Sequence, residues 1–166
     1  LRELRTSDLK GPWYSWLNDS DVTAFQNKGI TPNNIEKQTK YYESVMNSSN
    51  EVVLAIIEEE TQKHIGCVGL HRIDWIHRSA ELGIVIGDRA VWGKKYGKQA
   101  WQLISDYGFN VLNLHKIYAI IVAGNIPSCK SAESAGFRRD GSMRDFLYKN
   151  GKYLDAHYYS RLRTDQ

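Results

Sequence analysis

Residues 80–100 read AELGIVIGDRAVWGKKYGKQA, and this stretch decides the fold. An apolar strand that contains Gly83 and Gly87 runs into a turn rich in glycine and lysine, and the turn opens an amphipathic helix near Tyr96. Backbone N–H groups at the start of a helix have no intrahelical partners and attract phosphate oxygens. We therefore expect a ligand that carries phosphate, although strand, glycine turn and helix also occur where nothing binds.

Spacing excludes two common nucleotide-binding loops. A Walker A loop requires Gly-Lys-Ser/Thr after a four-residue gap, and here Lys98 is followed by Gln99. A dinucleotide-binding G-x-G-x-x-G is absent as well, because Lys95 lies between Gly93 and Gly97. The turn therefore belongs to neither class.

The composition limits the class of protein. A chain of 166 residues is the size of one domain, so we expect a single domain over residues 1–166. The net charge of +3 comes from basic residues interspersed with acidic ones, whereas a nucleic-acid binder would concentrate its basic residues. No apolar run has the length of a membrane span, and Cys67 and Cys129 form no C-x-x-C motif. We expect a cytoplasmic protein that binds no metal, nucleic acid or membrane.

The pattern of apolar residues predicts the element order β-α-α-β-β-β-α-β-α-β-β. Thr31 and Pro32 signal the start of the second helix, which runs to about Met46. Three consecutive strands then form an antiparallel meander, and the strand after the long helix pairs in parallel with the strand before it. We therefore expect an α+β fold with a mixed, mainly antiparallel sheet, a central parallel strand pair and flanking helices.

Two local patterns refine this prediction. Asn150-Gly151 predicts a tight hairpin between the last two strands. Apolar residues recur at helical spacing along the long helix, and we expect this face to be buried. Its members are Tyr96, Ala100, Leu103, Ile104, Tyr107, Val111 and Leu112.

Four motifs resemble, in order and spacing, those of the GNAT superfamily of acetyl-CoA-dependent N-acetyltransferases. They are Glu81 on a strand, the turn of residues 92–97, the sequence NIPS at 125–128 and the sequence SAGF at 134–137. The chain also resembles the ribosomal-protein-alanine and sugar-amine acetyltransferase branches, and the resemblance covers nearly the whole chain. It implies a GNAT fold and direct transfer of an acetyl group from acetyl-CoA to a primary amine.

The resemblance implies a cofactor site along the strand, the turn and the following helix. Of the three marked positions in the family's Q/R-x-x-G-x-G/A loop, only Gly97 matches, because Trp92 and Lys95 occupy the other two. Lys95 must turn its side chain outward. Its presence either weakens binding of the pyrophosphate or is compensated by the positive charge of its ammonium. The implied acetyl-CoA contacts are Ile84, Val85, Ile86, Trp92, Gly93, Lys94, Lys95, Tyr96, Gly97, Lys98, Asn125, Ser128 and Lys130.

Acetyl transfer needs an amine with a free lone pair. An ammonium of pKa about 10.4 costs about 4.6 kcal/mol to deprotonate at pH 7, which favours a general base. Glu81 is the implied base, with His71 and His77 as alternatives and a structural role open for each. Many relatives protonate the thiolate of CoA with a tyrosine, whose place is taken here by Ala132. Ser128 is the implied substitute, although a serine at this position also suits a helix cap.

The acceptor amine is the least determined part of the prediction. The residues expected to contact it are aromatic or hydrogen-bonding: Trp13, Trp16, Asn18, His71, Trp75, His77 and Tyr148. Sugar rings stack on such aromatics, so a nucleotide-linked amino sugar is preferred to a protein N-terminus. Only Asp19 and Asp21 are acidic between residues 13 and 28, which disfavours a polyamine.

Two rival functions stay open at this point. One is a non-catalytic acyl-CoA-binding module, and the other is a small RNA-binding domain. We expect acetyl-CoA as cosubstrate, a small-molecule or peptide amine as the other partner, and a monomer or homodimer.

Overall fold

A computed structural model describes residues 1–165, and within these residues seven strands and four helices form the fold. The strands are β1 (Arg2–Glu3), β2 (Val52–Ile57), β3 (His64–Asp74), β4 (Ser79–Ile86), β5 (Lys116–Val122), β6 (Arg138–Lys149) and β7 (Lys152–Leu162). The helices are α1 (Trp13–Trp16), α2 (Ile35–Met46), α3 (Tyr96–Asn110) and α4 (Ile126–Ser134). Short 3-10 turns lie at Thr6–Lys10 and Arg89–Val91.

All seven strands belong to one sheet with the order β1-β2-β3-β4-β5-β7-β6. Neighbouring strands are antiparallel except β4 and β5, which run parallel because α3 crosses between them. The predicted α+β class, element order and single parallel pair are confirmed. In residues 1–165, no helix is long and apolar enough to cross a membrane, and no three His, Cys, Asp or Glu side chains come together to hold a metal ion.

The parallel pair separates soon after it begins. Residues 79–81 of β4 pair with residues 116–118 of β5, and the pairing stops there. Beyond this point β4 keeps its antiparallel pairing with β3 as far as Ile86 but leaves β5. The two strands therefore form a V-shaped opening, and Glu81 lies at its apex.

Apolar side chains pack on both faces of the sheet. Under α3 and α4, the rings of Trp101 and Phe137 meet edge to face with centroids 4.8 Å apart. A second cluster joins α1, α2 and the first strands of the sheet, and Trp16 belongs to it. A Cβ on Gly87 would lie 1.9 Å from the Trp16 ring, so this glycine is required for the close packing of the indole.

Two local predictions about helices were wrong in detail. Helix α2 begins at Ile35, because the Asn34 side chain caps it by accepting a hydrogen bond from the Lys37 N–H at 2.9 Å. Of the predicted buried face, Leu103 on α3 and Val111 just after α3 are exposed, while six positions of α3, two of them on that face, are buried. The buried positions are Ala100, Trp101, Ile104, Ser105, Gly108 and Phe109.

The turn predictions agree with the backbone. Asn150 and Gly151 both have positive φ, 51° and 78°, and join β6 to β7 in a tight hairpin. Gly136 has φ 86° and lies just after α4.

Candidate active site

The larger cleft, of about 780 Å³, follows β4 into the V-shaped opening and continues over the start of α3. Its walls come from β4, the turn after β4, and the first turns of α3 and α4. All of the predicted cofactor contacts line this cleft except Lys94. The structure therefore brings together residues that the sequence spreads from Ile84 to Lys130.

The start of α3 forms an anion site inside this cleft. The backbone N–H groups of residues 96–98 make no hydrogen bond within the described chain, and the first N–H bonded inside the helix belongs to Gln99. Lys98 and Lys130 line the same cleft and add positive charge. Free N–H groups at the start of a 15-residue helix suit phosphate oxygens, which fits the pyrophosphate of CoA.

Lys95 caps this helix in a left-handed conformation, with φ 67° and ψ 9°. A residue with a Cβ rarely adopts this conformation, whereas glycine adopts it freely. The family carries glycine at this position, and here the backbone keeps the shape that glycine favours. The side chain is exposed, as expected from the sequence.

A buried carboxylate fixes the turn from behind. Glu58 is 6% exposed and accepts hydrogen bonds from the Tyr96 hydroxyl at 2.9 Å and from the Thr61 hydroxyl at 2.5 Å. These hydrogen bonds, from Thr61 first and Tyr96 second, lower the pKa of Glu58. The Lys94 ammonium lies 4.0 Å from the same carboxylate and outside the cleft. Sequence reasoning missed Glu58, because nothing distinguishes it from the acidic residues that follow it.

The second cleft, of about 590 Å³, lies on the other side of the opening, under α1 and α2. Seven residues line both clefts, so the two spaces are continuous: Phe25, Gln26, Ile84, Val85, Trp101, Asn125 and Ser128. Volumes of this size are typical of small-molecule sites. A thioester bound in the first cleft would meet an amine bound in the second at this junction.

Glu81 lines the second cleft and carries a partly covered carboxylate, with its side chain 19% exposed. The guanidinium of Arg72, which is 69% exposed, contacts Glu81 Oε2 as an ion pair without giving that oxygen a well-formed hydrogen bond. A bulge between His71 and Asp74 produces this contact, because Arg72 has φ 50° there. The other carboxylate oxygen, Glu81 Oε1, takes no part in this ion pair.

His71 lies directly opposite Glu81 on β3 and lines the same cleft. Its ring covers Gly69 and Gly83, where an added Cβ would come within 3.0 Å and 3.2 Å of the imidazole. Its Nδ1 lies 3.3 Å from Glu51 Oε1. Burial lowers the pKa of His71, and the hydrogen bond with Glu51 offsets part of that effect. Gly83 therefore makes room for a histidine beside the predicted base.

Ser128 lies at the junction of the two clefts. Helix α4 is capped by Asn125, whose side-chain oxygen accepts a hydrogen bond from the Ser128 N–H at 3.3 Å. The Ser128 hydroxyl makes no hydrogen bond within residues 1–165, since the capping bond uses only its backbone. The hydroxyl is therefore free to donate to a ligand.

Of the predicted acceptor contacts, Trp13 and His71 line the second cleft and the other five lie outside both clefts. Trp16 is buried against Gly87, and Asn18 exchanges hydrogen bonds with Asn33. The structure therefore does not gather the predicted aromatic set at one place.

The remaining three make local contacts. The Trp75 indole donates to the Ser49 carbonyl at 3.1 Å, and His77 takes part in a turn through its backbone N–H. Tyr148 packs on Tyr153 in the β6–β7 hairpin, with centroids 4.9 Å apart. None of the three side chains lines either cleft.

Several residues of the second cleft were not predicted. Gln38 is 1% exposed, and its Nε2 has no partner while its Oε1 accepts from Asn33. The Lys28 ammonium lies 4.8 Å from the centroid of the Tyr41 ring. Burial raises the pKa of Tyr41. These residues come from a loop and a helix face without a motif, so no pattern in the sequence marked them.

An open parallel pair, an anion site at a helix start and a carboxylate at the apex of the opening together define a CoA-dependent acyltransferase. The chain belongs to the Acetyltransferase (GNAT) domain family, which matches residues 1–138. It is 32% identical over 172 residues to the uncharacterized N-acetyltransferase p20 of Bacillus licheniformis, covering 99% of this chain and 93% of that protein. The protein is therefore an acetyl-CoA-dependent N-acetyltransferase, as predicted.

Two further similarities concern spermidine acetyltransferases. The spermidine N(1)-acetyltransferase of Vibrio cholerae is 35% identical over 101 residues, which are 61% of this chain and 58% of that protein. A crystal structure of spermidine N-acetyltransferase from Vibrio cholerae in complex with CoA and spermine matches with a TM-score of 0.89 at 25% identity. That match covers 99% of this chain and 95% of the other.

Proposed function

We propose that this N-acetyltransferase acetylates a primary amine of an aliphatic polyamine. The observation that carries this proposal is the pair of carboxylates, Glu51 and Glu81, on the wall of the second cleft. The rings of Trp13, Phe25 and Tyr41 line the same cleft. Carboxylates attract ammonium groups, and aromatic faces accept both cations and methylene chains. Similarity to spermidine acetyltransferases over nearly the whole fold supports the same class of acceptor.

This proposal replaces the preference for a nucleotide-linked amino sugar. That preference depended on aromatic residues that lie outside the cleft, Trp16, Trp75 and Tyr148. The argument against polyamines counted acidic residues only between positions 13 and 28. The carboxylates of the second cleft come from residues further along the chain. Glu51 precedes β2, and Glu81 lies on β4.

Glu81 acts as the general base in this proposal. Acetyl-CoA supplies a thioester carbonyl at the junction of the clefts, and the attacking amine must lose a proton. The Glu81 carboxylate lies at the apex of the opening and accepts that proton directly or through one water molecule. His71 is the alternative base, because burial lowers the pKa of its imidazole and favours the neutral ring.

Ser128 is proposed to stabilise the leaving thiolate. Its hydroxyl is free of internal hydrogen bonds and lies at the junction of the clefts. A hydroxyl donor there favours the charge that develops on the sulfur as the thioester breaks. Asn125 holds the start of α4 in place, so the hydroxyl keeps its position.

A peptide N-terminus is a second candidate acceptor. It is favoured by two hydrogen-bond donors on the wall of the second cleft, the unpaired Nε2 of Gln38 and the ammonium of Lys28. Backbone carbonyls of a peptide accept from such donors, whereas the ammonium groups of a polyamine do not.

An acceptor panel tests the proposal. The enzyme is incubated with acetyl-CoA and spermidine, spermine, an amino-sugar nucleotide or short peptides, and both thiol release and the acetylated product mass are recorded. We expect polyamines to exceed every other class by at least about tenfold in kcat/KM. Faster acetylation of peptides would favour the second candidate, and acetylation confined to the sugar nucleotide would restore the original preference.

A variant strengthens the panel. Glu51→Gln removes one cleft carboxylate and is expected to raise KM for a polyamine by about tenfold, as loss of one charged hydrogen bond predicts. KM for a peptide should change little. Equal effects on both acceptors would argue against a polyamine site at Glu51.

A further inference from the structure

The segment of residues 23–28 lies at the junction of the two clefts and is held in place by one side chain from the far end of the chain. From their proposed roles, the first cleft is called the cofactor cleft and the second the acceptor cleft. Phe25 and Gln26 line both clefts, and Lys28 lines the acceptor cleft. The Phe25 ring packs on Gly124 just after β5, where an added Cβ would lie 3.2 Å from the ring. The position of this segment therefore sets the shape of the passage between cofactor and acceptor.

The ammonium of Lys149 binds this segment through three backbone carbonyls. It donates to the carbonyl of Gln26 at 2.8 Å, to that of Lys28 at 3.0 Å, and to that of Thr23. An ammonium has three donors and no acceptor, so all its N–H groups are used. Partial burial lowers the pKa of this ammonium. No other side chain in residues 1–165 gathers three carbonyls of one segment in this way.

Lys149 comes from the strand that forms the opposite wall of the acceptor cleft. It is the last residue of β6, next to the Asn150-Gly151 turn. Phe146 and Leu147 of the same strand line the cleft. Asp145, at φ 50°, and Phe146 lie within a register shift of β6 between Met143 and Leu147. One lysine thus ties the two walls of the acceptor cleft to each other.

We propose that Lys149 is a positioning residue that sets acceptor specificity by holding residues 23–28 against the β6–β7 hairpin. This inference rests on the proposed function only for the identity of the acceptor. Without the ammonium, three carbonyls lose their donor and the segment is free to move away from the hairpin. The acceptor cleft then widens, while the anion site at α3 stays intact because none of its residues belongs to the segment or the hairpin.

The first test compares Lys149→Met with Lys152→Met. Both changes remove a lysine beside the same turn, but Lys152 is exposed and its position does not reach the segment. Lys149→Met is expected to raise KM for the acceptor by about tenfold or more and to change the dissociation constant of acetyl-CoA much less, because Phe25 and Gln26 line the cofactor cleft but the anion site at α3 is untouched. Lys152→Met should match the wild type, and Lys149→Arg should lie between the two.

A second readout does not depend on turnover. Trypsin needs a segment that can leave its place and extend into the protease. Lys28 is exposed, so the rate of the cut between Lys28 and Gly29, identified by mass, measures how firmly the segment is held. We expect the Met variant at position 149 to be cut there at least about ten times faster than the wild type or Lys152→Met.

The outcomes separate the clamp from the proposed function. If the wild type acetylates no polyamine, the proposed function fails, while the cut rates still decide the clamp. Equal cut rates overturn the inference, and so does a faster cut without any change in acceptor KM. If Lys149→Met melts below the assay temperature, the acceptor KM and the rate of the cut after Lys28 are measured on Lys149→Arg instead. Wild-type values for both would then overturn the inference.

Discussion

The cofactor cleft and the acceptor cleft are built in different ways. The cofactor cleft is lined mostly by one strand, one turn and two helix starts, all within residues 84–134, and also by residues from 21–26. The acceptor cleft is lined by residues from α1, from the loop before α2, from α2 itself, from the four strands β2–β5 and from the β6–β7 hairpin. Backbone sites follow from local sequence patterns, whereas side-chain sites depend on how distant segments meet.

Substitution of the proposed base gives the largest expected effect. It tests whether turnover can fall while the cofactor cleft keeps its affinity for acetyl-CoA. Glu81→Gln should lower kcat by about 10²-fold or more, because general-base catalysis contributes roughly that amount. The affinity for acetyl-CoA, measured by calorimetry, should stay within about twofold. The defect should shrink as pH rises, since the free amine becomes more abundant. Unchanged turnover across pH would move the base elsewhere, and His71→Ala would be the next variant.

The second effect should be confined to the cofactor cleft. Glu58→Gln weakens the hydrogen bonds that fix Tyr96 behind the turn. We expect KM for acetyl-CoA to rise by about tenfold while KM for the acceptor stays constant. Tyr96→Phe should act in the same direction, and the exposed Glu59→Gln is the matched control. An equal rise in both KM values would show that Glu58 supports the fold as a whole.

A third, smaller effect concerns backbone strain in the cofactor turn. Lys95→Gly relieves the left-handed conformation and is expected to stabilise the protein by up to about 1 kcal/mol in thermal unfolding. Lys94→Gly, one residue earlier and without positive φ, should destabilise it instead. If Lys95→Gly destabilises the protein as Lys94→Gly does, the left-handed conformation of Lys95 costs less free energy than a glycine loses in conformational entropy on folding.

The smallest effect is a pH dependence of stability from two partly buried histidines, His71 in the acceptor cleft and His64, whose ring packs against Trp13 and Trp16. Burial lowers the pKa of both His64 and His71, with partial offsets from Asp8 and Glu51 respectively. The unfolded chain therefore takes up protons first, and stability falls as pH drops below about 6.5, the ordinary histidine pKa. Above that pH this contribution is fully present.

Denaturant titrations at several pH values measure this trend. His64→Asn should flatten the pH dependence of the unfolding free energy, and substitution of the exposed His115 should leave it unchanged. Saturating acetyl-CoA should raise stability at every pH without altering the slope. A slope that changes with acetyl-CoA would couple these histidines to the cofactor cleft.

The residues predicted to bind acetyl-CoA gather in one cleft, whereas most residues predicted to contact the acceptor lie outside both clefts. Gly97, Lys98 and the strand before them form a local pattern with a physical reason, and the structure brings them to one cleft. Gln38 and Lys149 carry no such pattern, because their roles arise only after α2 and the hairpin pack against the rest of the chain. Trp75 is an error of the opposite kind, because it was predicted to contact the acceptor but lies outside both clefts. Its indole N–H donates to the backbone carbonyl of Ser49.

The separation of β4 from β5 also gives the molecule an internal sheet edge. Backbone N–H and C=O groups on the β5 side of residues 82–86 have no strand partner, yet they face a cleft and not open water. Such groups exchange their amide hydrogens readily until something pairs with them. Hydrogen exchange in β4 should therefore slow when acetyl-CoA binds, while exchange in residues 156–160 of β7, which pair with a strand on each side, stays unchanged, so that cosubstrate occupancy becomes visible as completion of a sheet.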